Sequence, residues 1–441
     1  MSIFSNSRQI FIWEVCGVLQ NQLAIAVGVF TITYVIIMSE KLNRTAVAMV
    51  GAFLMLILNV ESQEQAIEHI DFNTIGLLVG MMIIVNIMKK SGIFEYIAIK
   101  AAKLSKGDPW RILVSFAAIT AVASALLDNV TTILLIVPVT LVITDTLRLN
   151  PIPFLVPEIL IANIGGTATL IGDPPNIMIG SATGLGFLDF VVNLAPVVIV
   201  IFVVTMLLFK LIYGKQYYCE DKDKLKILQM NENLAIKDML LLKKSVVVLF
   251  MTIIGFLLHQ ALGYESATIA LFFGALLLLV SGVDVEDVFL EIEWPTIFFF
   301  LSLFILVGAL EGVGVMEFLA AKLLSFTEGN LLMTAMVILW VSAIASSFLD
   351  NIPFVATMIP LIKSLAAMST INVGPLWWAL ALGACLGGNG TLVGASANVI
   401  VSGMISRHGQ KLSFVDYLKV GFPLMIISVI ISSIYLIVFY V

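Results

Sequence analysis

The sequence repeats itself at a spacing of 222 residues. Asp128-Asn129 falls on Asp350-Asn351, Pro138 on Pro360 and Gly165-Gly166 on Gly387-Gly388. Thr169 falls on Thr391, Gly172 on Gly394 and Asn176 on Asn398, while Gly92 and Glu95 fall on Gly314 and Glu317. Near the start of each half a spacing of 223 matches Gly51 to Gly274, and Glu61, Glu64 and Glu68 to Asp284, Asp287 and Glu291. A long-period repeat constrains a fold more than any local motif, because both copies must solve the same packing problem.

What the halves contain follows from hydropathy. Apolar residues make up 60% of the chain and charged residues 12%, against about 45–50% and about 25% in soluble domains. The mean hydropathy is +1.09, and the apolar runs have spanning length. The reading is an all-α polytopic membrane protein. Residues 1–21 read as an interfacial lead-in, without the basic start or cleavage site of a signal peptide. Residues 22–212 form the first repeat, 213–243 a polar linker and 244–441 the second repeat.

Each half opens with three apolar runs, 22–38, 44–60 and 74–89 or 244–261, 266–282 and 296–311. A short amphipathic piece follows, "IFEYIAIKAAKLS" or "VMEFLAAKLLSFT", suited to the interface. A run of hairpin length, 110–146 or 332–367, is broken at its centre by Asp-Asn. A run with a Gly-rich centre, 155–183 or 375–405, precedes a closing span. If the Asp-Asn runs are re-entrant hairpins, each half crosses five times and the second half is inverted. With the linker in the cytoplasm, all of the 23 Lys and Arg except Arg8, Lys322 and Lys363 lie on cytoplasmic segments, and both termini lie outside. This places the chain in the plasma or inner membrane.

Non-helical backbone is tolerated at membrane depth only where protein or a cavity covers it. Broken helices in inverted repeats are the pattern of secondary transporters, so both Asp-Asn pairs and both Gly-rich breaks should meet at one midplane site. In "NIGGTATLIGDPPNIMIG" (Asn163 to Gly180), Gly165, Gly166 and Gly172 let the backbone leave helical geometry. Asp173 can cap the next half-helix, with Pro174 at its first position. Freed carbonyls suit a cation, and the new amides suit an anion. The counterpart, Cys385 to Gly403, keeps the glycines, Gly388 among them, with Thr391 and Asn398, adds Asn389, and has Ala395 in place of Asp173.

Asp128, Asp173 and Asp350 lie near span centres, with Glu158 a turn or two into its span and no Lys or Arg equally deep. An Asp at the bilayer centre costs about 2.5–3.5 kcal/mol on insertion scales. A bound cation, a proton or amide hydrogen bonds would offset it. Asp128 and Asp350 are the candidates for binding the coupling ion, H⁺ or Na⁺; at a hairpin tip the same Asp also serves as a plain N-cap. Asp145 and Arg148 are spaced as a structural pair. Three lone histidines and three scattered cysteines (Cys16, Cys219, Cys385) imply neither a metalloenzyme nor a disulfide framework. No phosphate-binding G-x-x-x-x-G-K-[ST] loop is present, so energy comes from an ion gradient or a separate ATPase subunit. No basic tail suggests nucleic acid, and no organic cofactor is called for.

The segments "SALLDNVTTILLIVPVT" and "EILIANIGGTATLIGDPPNIMI" resemble the ion-transporter superfamily, nearest its arsenite-permease and P-protein branch. The superfamily also holds NhaD-type antiporters, citrate transporters and divalent anion/sodium symporters. The resemblance covers nearly the whole chain. It implies a dimeric elevator transporter whose mobile domain carries both hairpins. It further implies that Asn129, Gly172 and Asn176, with Asn351, Gly394 and Asn398, line the ion and substrate sites, Na⁺ lying by Asp128, Asn129 and Gly172 and by Asp350, Asn351 and Gly394. The dicarboxylate symporters carry Ser-Asn-Thr at each tip. Here the tips read Asp128-Asn129-Val130 and Asp350-Asn351-Ile352. That departure removes a Thr contact to carboxylate and adds negative charge, which suits cation or proton exchange. The expected function is an ion-coupled carrier of a small anion or metalloid. The alternatives are a Na⁺/H⁺ antiporter, a citrate or dicarboxylate uptake carrier and a passive anion channel.

Overall fold

A computed structural model describes residues 3–39 and 41–441, with side chains from residue 21 onward except residue 40. The described residues are helical, without strands. The first half contains α1 (Ile3–Met38), α2 (Arg44–Ile57), α3 (Gln63–Glu68), α4 (Phe72–Lys90), α5 (Ile93–Leu104), α6 (Pro109–Leu126), α7 (Asn129–Leu147), α8 (Ile152–Gly166), α9 (Pro174–Thr183) and α10 (Phe187–Tyr213). The linker contributes α11 (Asp221–Gln229). The second half contains α12 (Met239–Leu262), α13 (Ser266–Ser281), α14 (Val285–Leu290), α15 (Trp294–Gly312), α16 (Val315–Thr327), α17 (Leu331–Phe348), α18 (Asn351–Met368), α19 (Gly374–Gly387), α20 (Ser396–Arg407) and α21 (Phe414–Phe439). Ten helices among the described residues are long and apolar enough to cross a membrane, and both arms of each hairpin are among them. The helix that holds the first apolar run extends back to Ile3, through the residues read as a lead-in.

Helix starts from α2 to α9 recur 222 residues later in α13 to α20. The spacing of 223 among the early acids is therefore corrected. Ser62 caps α3 and Asp284 caps α14, which aligns Ser62, not Glu61, with Asp284. Both stretches are rich in acids, so a shift of one position still matches acid to acid.

The chain divides into two compact units. The first comprises Met1–Ile75, Glu293–Thr334 and Ala356–Val373. Within it α2 lies against α15, with the Arg44 guanidinium 5.1 Å from the centre of the Phe299 ring. Thr45 donates to the Pro295 carbonyl at 2.9 Å. In the loop before α3, Glu61 is buried beside His69 at 3.6 Å, and neither carboxylate oxygen has a hydrogen-bond donor. Gly308 leaves room for the imidazole, since a Cβ there would meet the ring at 2.2 Å.

The second unit comprises Gly76–Ile292, Ala335–Val355 and Gly374–Val441. Two of its helices start on side-chain caps: Asp108 accepts from the Arg111 amide with Pro109 at the first position, and Asp128 accepts from the Thr131 amide. The linker is not merely solvated charge. Its Lys237 amide donates to the Ser91 carbonyl at 3.0 Å, Glu232 pairs with Lys103 at 2.5 Å, and the Tyr217 hydroxyl donates to the Pro153 carbonyl at 2.8 Å. Asp145 and Arg148 do not pair with each other. Asp145 meets His408 at 3.0 Å, while Arg148 lies 3.9 Å from Asp223 of the linker. Tertiary contact thus overrides helical spacing.

Burial pushes the Glu61 carboxyl up to about 7 from its ordinary 4.5. The unfolded chain ionises first, so stability from this group is complete below the ordinary value and falls as pH rises through about 7. Glu61→Gln is expected to raise the thermal unfolding temperature by a few degrees at pH 8 and to leave it unchanged at pH 4. Thermal unfolding in detergent at both pH values checks this.

Candidate functional site

The two helix breaks are built alike. α8 ends at Gly166 and α9 begins at Pro174; α19 ends at Gly387 and α20 begins at Ser396. Each break frees carbonyls that an apolar interior cannot solvate. Asn176 answers the first break, its amide donating to the Thr167 and Thr169 carbonyls at 3.1 and 2.8 Å. Asn398 answers the second, donating to the Gly388 and Thr391 carbonyls at 2.7 and 2.8 Å. These carbonyls, read above as open to a cation, already have donors.

Hydroxyls tie the breaks to the hairpins. Ser124 donates to the Ala162 carbonyl and Ser346 to the Ala384 carbonyl, both at 2.6 Å. Thr169 donates to the Ala125 carbonyl, and Thr391 to the Ser347 carbonyl at 2.5 Å. The glycines serve closeness, not unusual backbone angles: Gly165, Gly166, Gly172, Gly388 and Gly394 all lack positive φ. A Cβ on Gly165 would lie 2.5 Å from the Ala121 carbonyl oxygen. One on Gly172 would meet the Gly166 and Ser124 oxygens at 2.5 and 2.6 Å, and one on Gly394 the Gly388 and Ser346 oxygens at 2.7 and 2.8 Å. The backbone does leave helical geometry around these glycines, and what they supply there is close backbone packing.

Inside this symmetrical frame the chemistry is unequal. Asn163 of α8 is fully buried, accepts from the Asn129 amide at 3.0 Å, and lies 2.9 and 3.1 Å from the side-chain oxygens of Asn389 and Asn398, to which it donates. The Asn389 amide in turn donates to the Leu160 carbonyl at 3.2 Å. Asn163 thus joins one hairpin tip to the opposite break. It was absent from the sequence-derived site because its repeat mate is Cys385. The available signal was an Asn inside an apolar helix, two positions before Gly165. Cys385 lies 3.5 Å from the Asn176 side-chain oxygen.

The three aspartates differ in their partners. Asp128 stays local, accepting from the Thr131 amide at 2.7 Å and its hydroxyl at 2.5 Å, as a plain cap does. Asp350 accepts from the Ile352 amide at 3.2 Å and reaches α20, where the Ser396 hydroxyl donates at 2.9 Å. The position matching Ser396 is Pro174, which has no hydroxyl to offer Asp128. Asp173 is buried, and both its oxygens accept from the Asn351 amide, at 3.2 and 3.3 Å. It occupies the N-cap position of α9 at φ −146°, ψ 134°, yet its side chain makes no capping bond. Ala395 holds the same conformation at φ −149°, ψ 146°. The turn therefore does not need the Asp173 carboxylate, which serves Asn351 instead. Pro174 and Pro175 also remove two amides from the start of α9, so the expected anion-facing amides are fewer there than on α20.

A family model for citrate transporters matches residues 34–383. The chain belongs to the citrate transporter family. This citrate transporter family member is 42% identical to an uncharacterized transporter of Mycobacterium bovis, over 93% of this chain and 97% of that protein. It is 41% identical to a 46 kDa membrane protein of Mycobacterium leprae, with the same coverage. It is 35% identical to the P protein of Homo sapiens, over 96% of this chain but 61% of that longer one. Its fold matches the Alcanivorax borkumensis YdaH transporter with a TM-score of 0.60 at 13% identity, covering 95% and 98% of the two chains. The citrate transporter family member is thus a multi-pass membrane transporter of helical fold, in the superfamily its motifs resemble.

Gly172→Ala should destabilise the protein by about 1–3 kcal/mol, the usual cost of overpacking a rigid site. Gly403→Ala, on α20 with nothing within 4 Å of a new Cβ, should be neutral or slightly stabilising. Thermal unfolding of both variants in detergent checks the contrast.

Proposed function

We propose that this protein is an ion-coupled secondary active transporter, driven by H⁺ or Na⁺, that moves a small anion or metalloid. The observation that carries the reading is the Asp173–Asn351 contact, a carboxylate of the first half held by a hairpin tip of the second. Acids concentrate here, and among the described residues no Lys, Arg or His pairs with Asp128 or Asp173. In a low-dielectric interior such charges repel an anionic solute strongly. Solute binding then requires prior neutralisation of the acids by a cation or proton, which is a physical basis for obligatory coupling. Asp128, Asn129, Asp173, Asp350 and Asn351 supply the cation and proton ligands. Asn163, Asn389, Asn398 and the start of α20 contact the solute. Na⁺ by Asp128, Asn129 and Gly172 or by Asp350, Asn351 and Gly394, a dimer, elevator motion, residence in the cell membrane and a cytoplasmic 213–243 linker are parts of the same proposal.

Flux into proteoliposomes, with Na⁺ and pH gradients imposed separately against arsenite, citrate and succinate, tests it. One gradient should concentrate at least one solute. Asp173→Asn and Asp350→Asn should each cut that accumulation by about tenfold or more, the effect of losing about 1.4 kcal/mol of ion binding. Gradient-independent leak would point to a channel. Cation exchange without any of these solutes would point to a Na⁺/H⁺ antiporter.

A further inference from the structure

We propose that Glu158 is a second, separate proton-binding site of this protein, protonated at rest, and that it carries a proton during transport. Glu158 lies on α8 and is fully buried. Its Oε1 is 2.6 Å from the Thr140 hydroxyl of α7, and its Oε2 has no hydrogen-bond partner. The Thr140 hydroxyl also lies 3.2 Å from the Ile136 carbonyl oxygen.

A hydroxyl has one hydrogen to give. If Thr140 gives it to an ionised Glu158, the charge sits in an apolar interior with one donor and one bare oxygen. Burying an unpaired charge in this way is the most costly arrangement available to a side chain. If Glu158 keeps its proton, its O–H donates to Thr140, and Thr140 donates to the Ile136 carbonyl. Every hydrogen then has an acceptor, the 2.6 Å separation suits an O–H···O bond, and only a neutral C=O lacks a donor.

The surroundings offer no compensating charge. The helices packed on α8 are α6, α7, α10, α19 and α20. Their titratable side chains are Arg111, Asp128 at the cap of α7, Asp145, Asp189, Lys210, Tyr213, Cys385 and Arg407, and the linker adds Tyr217, which bonds the Pro153 carbonyl at the start of α8. None is hydrogen-bonded to or ion-paired with Glu158 among the described residues. The repeat supplies an internal control. The positions matching Glu158 and Thr140 are Leu380 and Ile362, both fully buried. Each of these positions takes a buried hydrocarbon side chain in the second repeat, so neither requires an acid or a hydroxyl. Glu158 is also close to the transport site: Asn163 follows on the same helix about 7.5 Å along its axis.

The carrier role rests on the transporter reading, but the protonation does not, and two measurements keep them apart. Infrared difference spectra of the full-length protein in liposomes at neutral pH should show a protonated carboxyl band that Glu158→Gln removes and Thr140→Val shifts. A band unchanged in both variants overturns the site. In pH-gradient flux with arsenite or citrate, Glu158→Gln should lose gradient-driven accumulation at least tenfold while solute exchange at equal pH persists. Full gradient coupling in Glu158→Gln overturns the carrier role. A wild type that no gradient drives overturns the transporter reading, while the infrared band still decides Glu158.

Discussion

A helix broken inside an apolar interior strands its own carbonyls, and the rest of this structure follows from how they are satisfied. Asn176 and Asn398 do so from the half-helices that resume after each break. A short amide side chain spans so little distance that the loop must fold tightly back on itself. That tightness demands glycine at Gly166, Gly172 and Gly394, where a Cβ would strike backbone oxygen. It also brings the hairpin tips close enough for Ser124 and Ser346 to bond the broken helices.

The frame is duplicated and the chemistry within it is not. Equivalent positions hold Asn163 and Cys385, Asp173 and Ala395, Pro174 and Ser396, Thr167 and Asn389. The exchange of Asp173 for Ala395 leaves the local backbone angles alone. Each exchange changes what a ligand would meet. A site with two equal halves would treat ion and solute alike, whereas unequal halves let one side hold charge and the other hold neutral amides.

Much of this was legible in the residues. The repeat located seven of the eight matched helix pairs, because spanning length and glycine punctuation survive divergence, whereas the short α3 and α14 showed only as matched acids. Asn129, Asn351, Asn176 and Asn398 stood out because both copies kept them. Asn163 did not, because a site residue present in only one half is invisible to a search for matching pairs. The glycines marked the helix breaks correctly, but composition could not show which backbone oxygens they lie against. The docking of the linker was hidden for a similar reason. Glu232 and Asp223 look solvated in sequence, and only the tertiary fold supplies Lys103 and Arg148.

The central claim is that the two halves build one shared site, joined where Asn351 holds Asp173. A double-mutant cycle on gradient-driven flux measures that junction directly, with Asp173→Asn, Asn351→Ala and the double variant compared in proteoliposomes. Residues in contact give non-additive effects, commonly about 0.5–3 kcal/mol. The account predicts that the second substitution adds little once the first is made. Additive losses would mean that the two residues act independently, and would contradict a single site shared between the repeats.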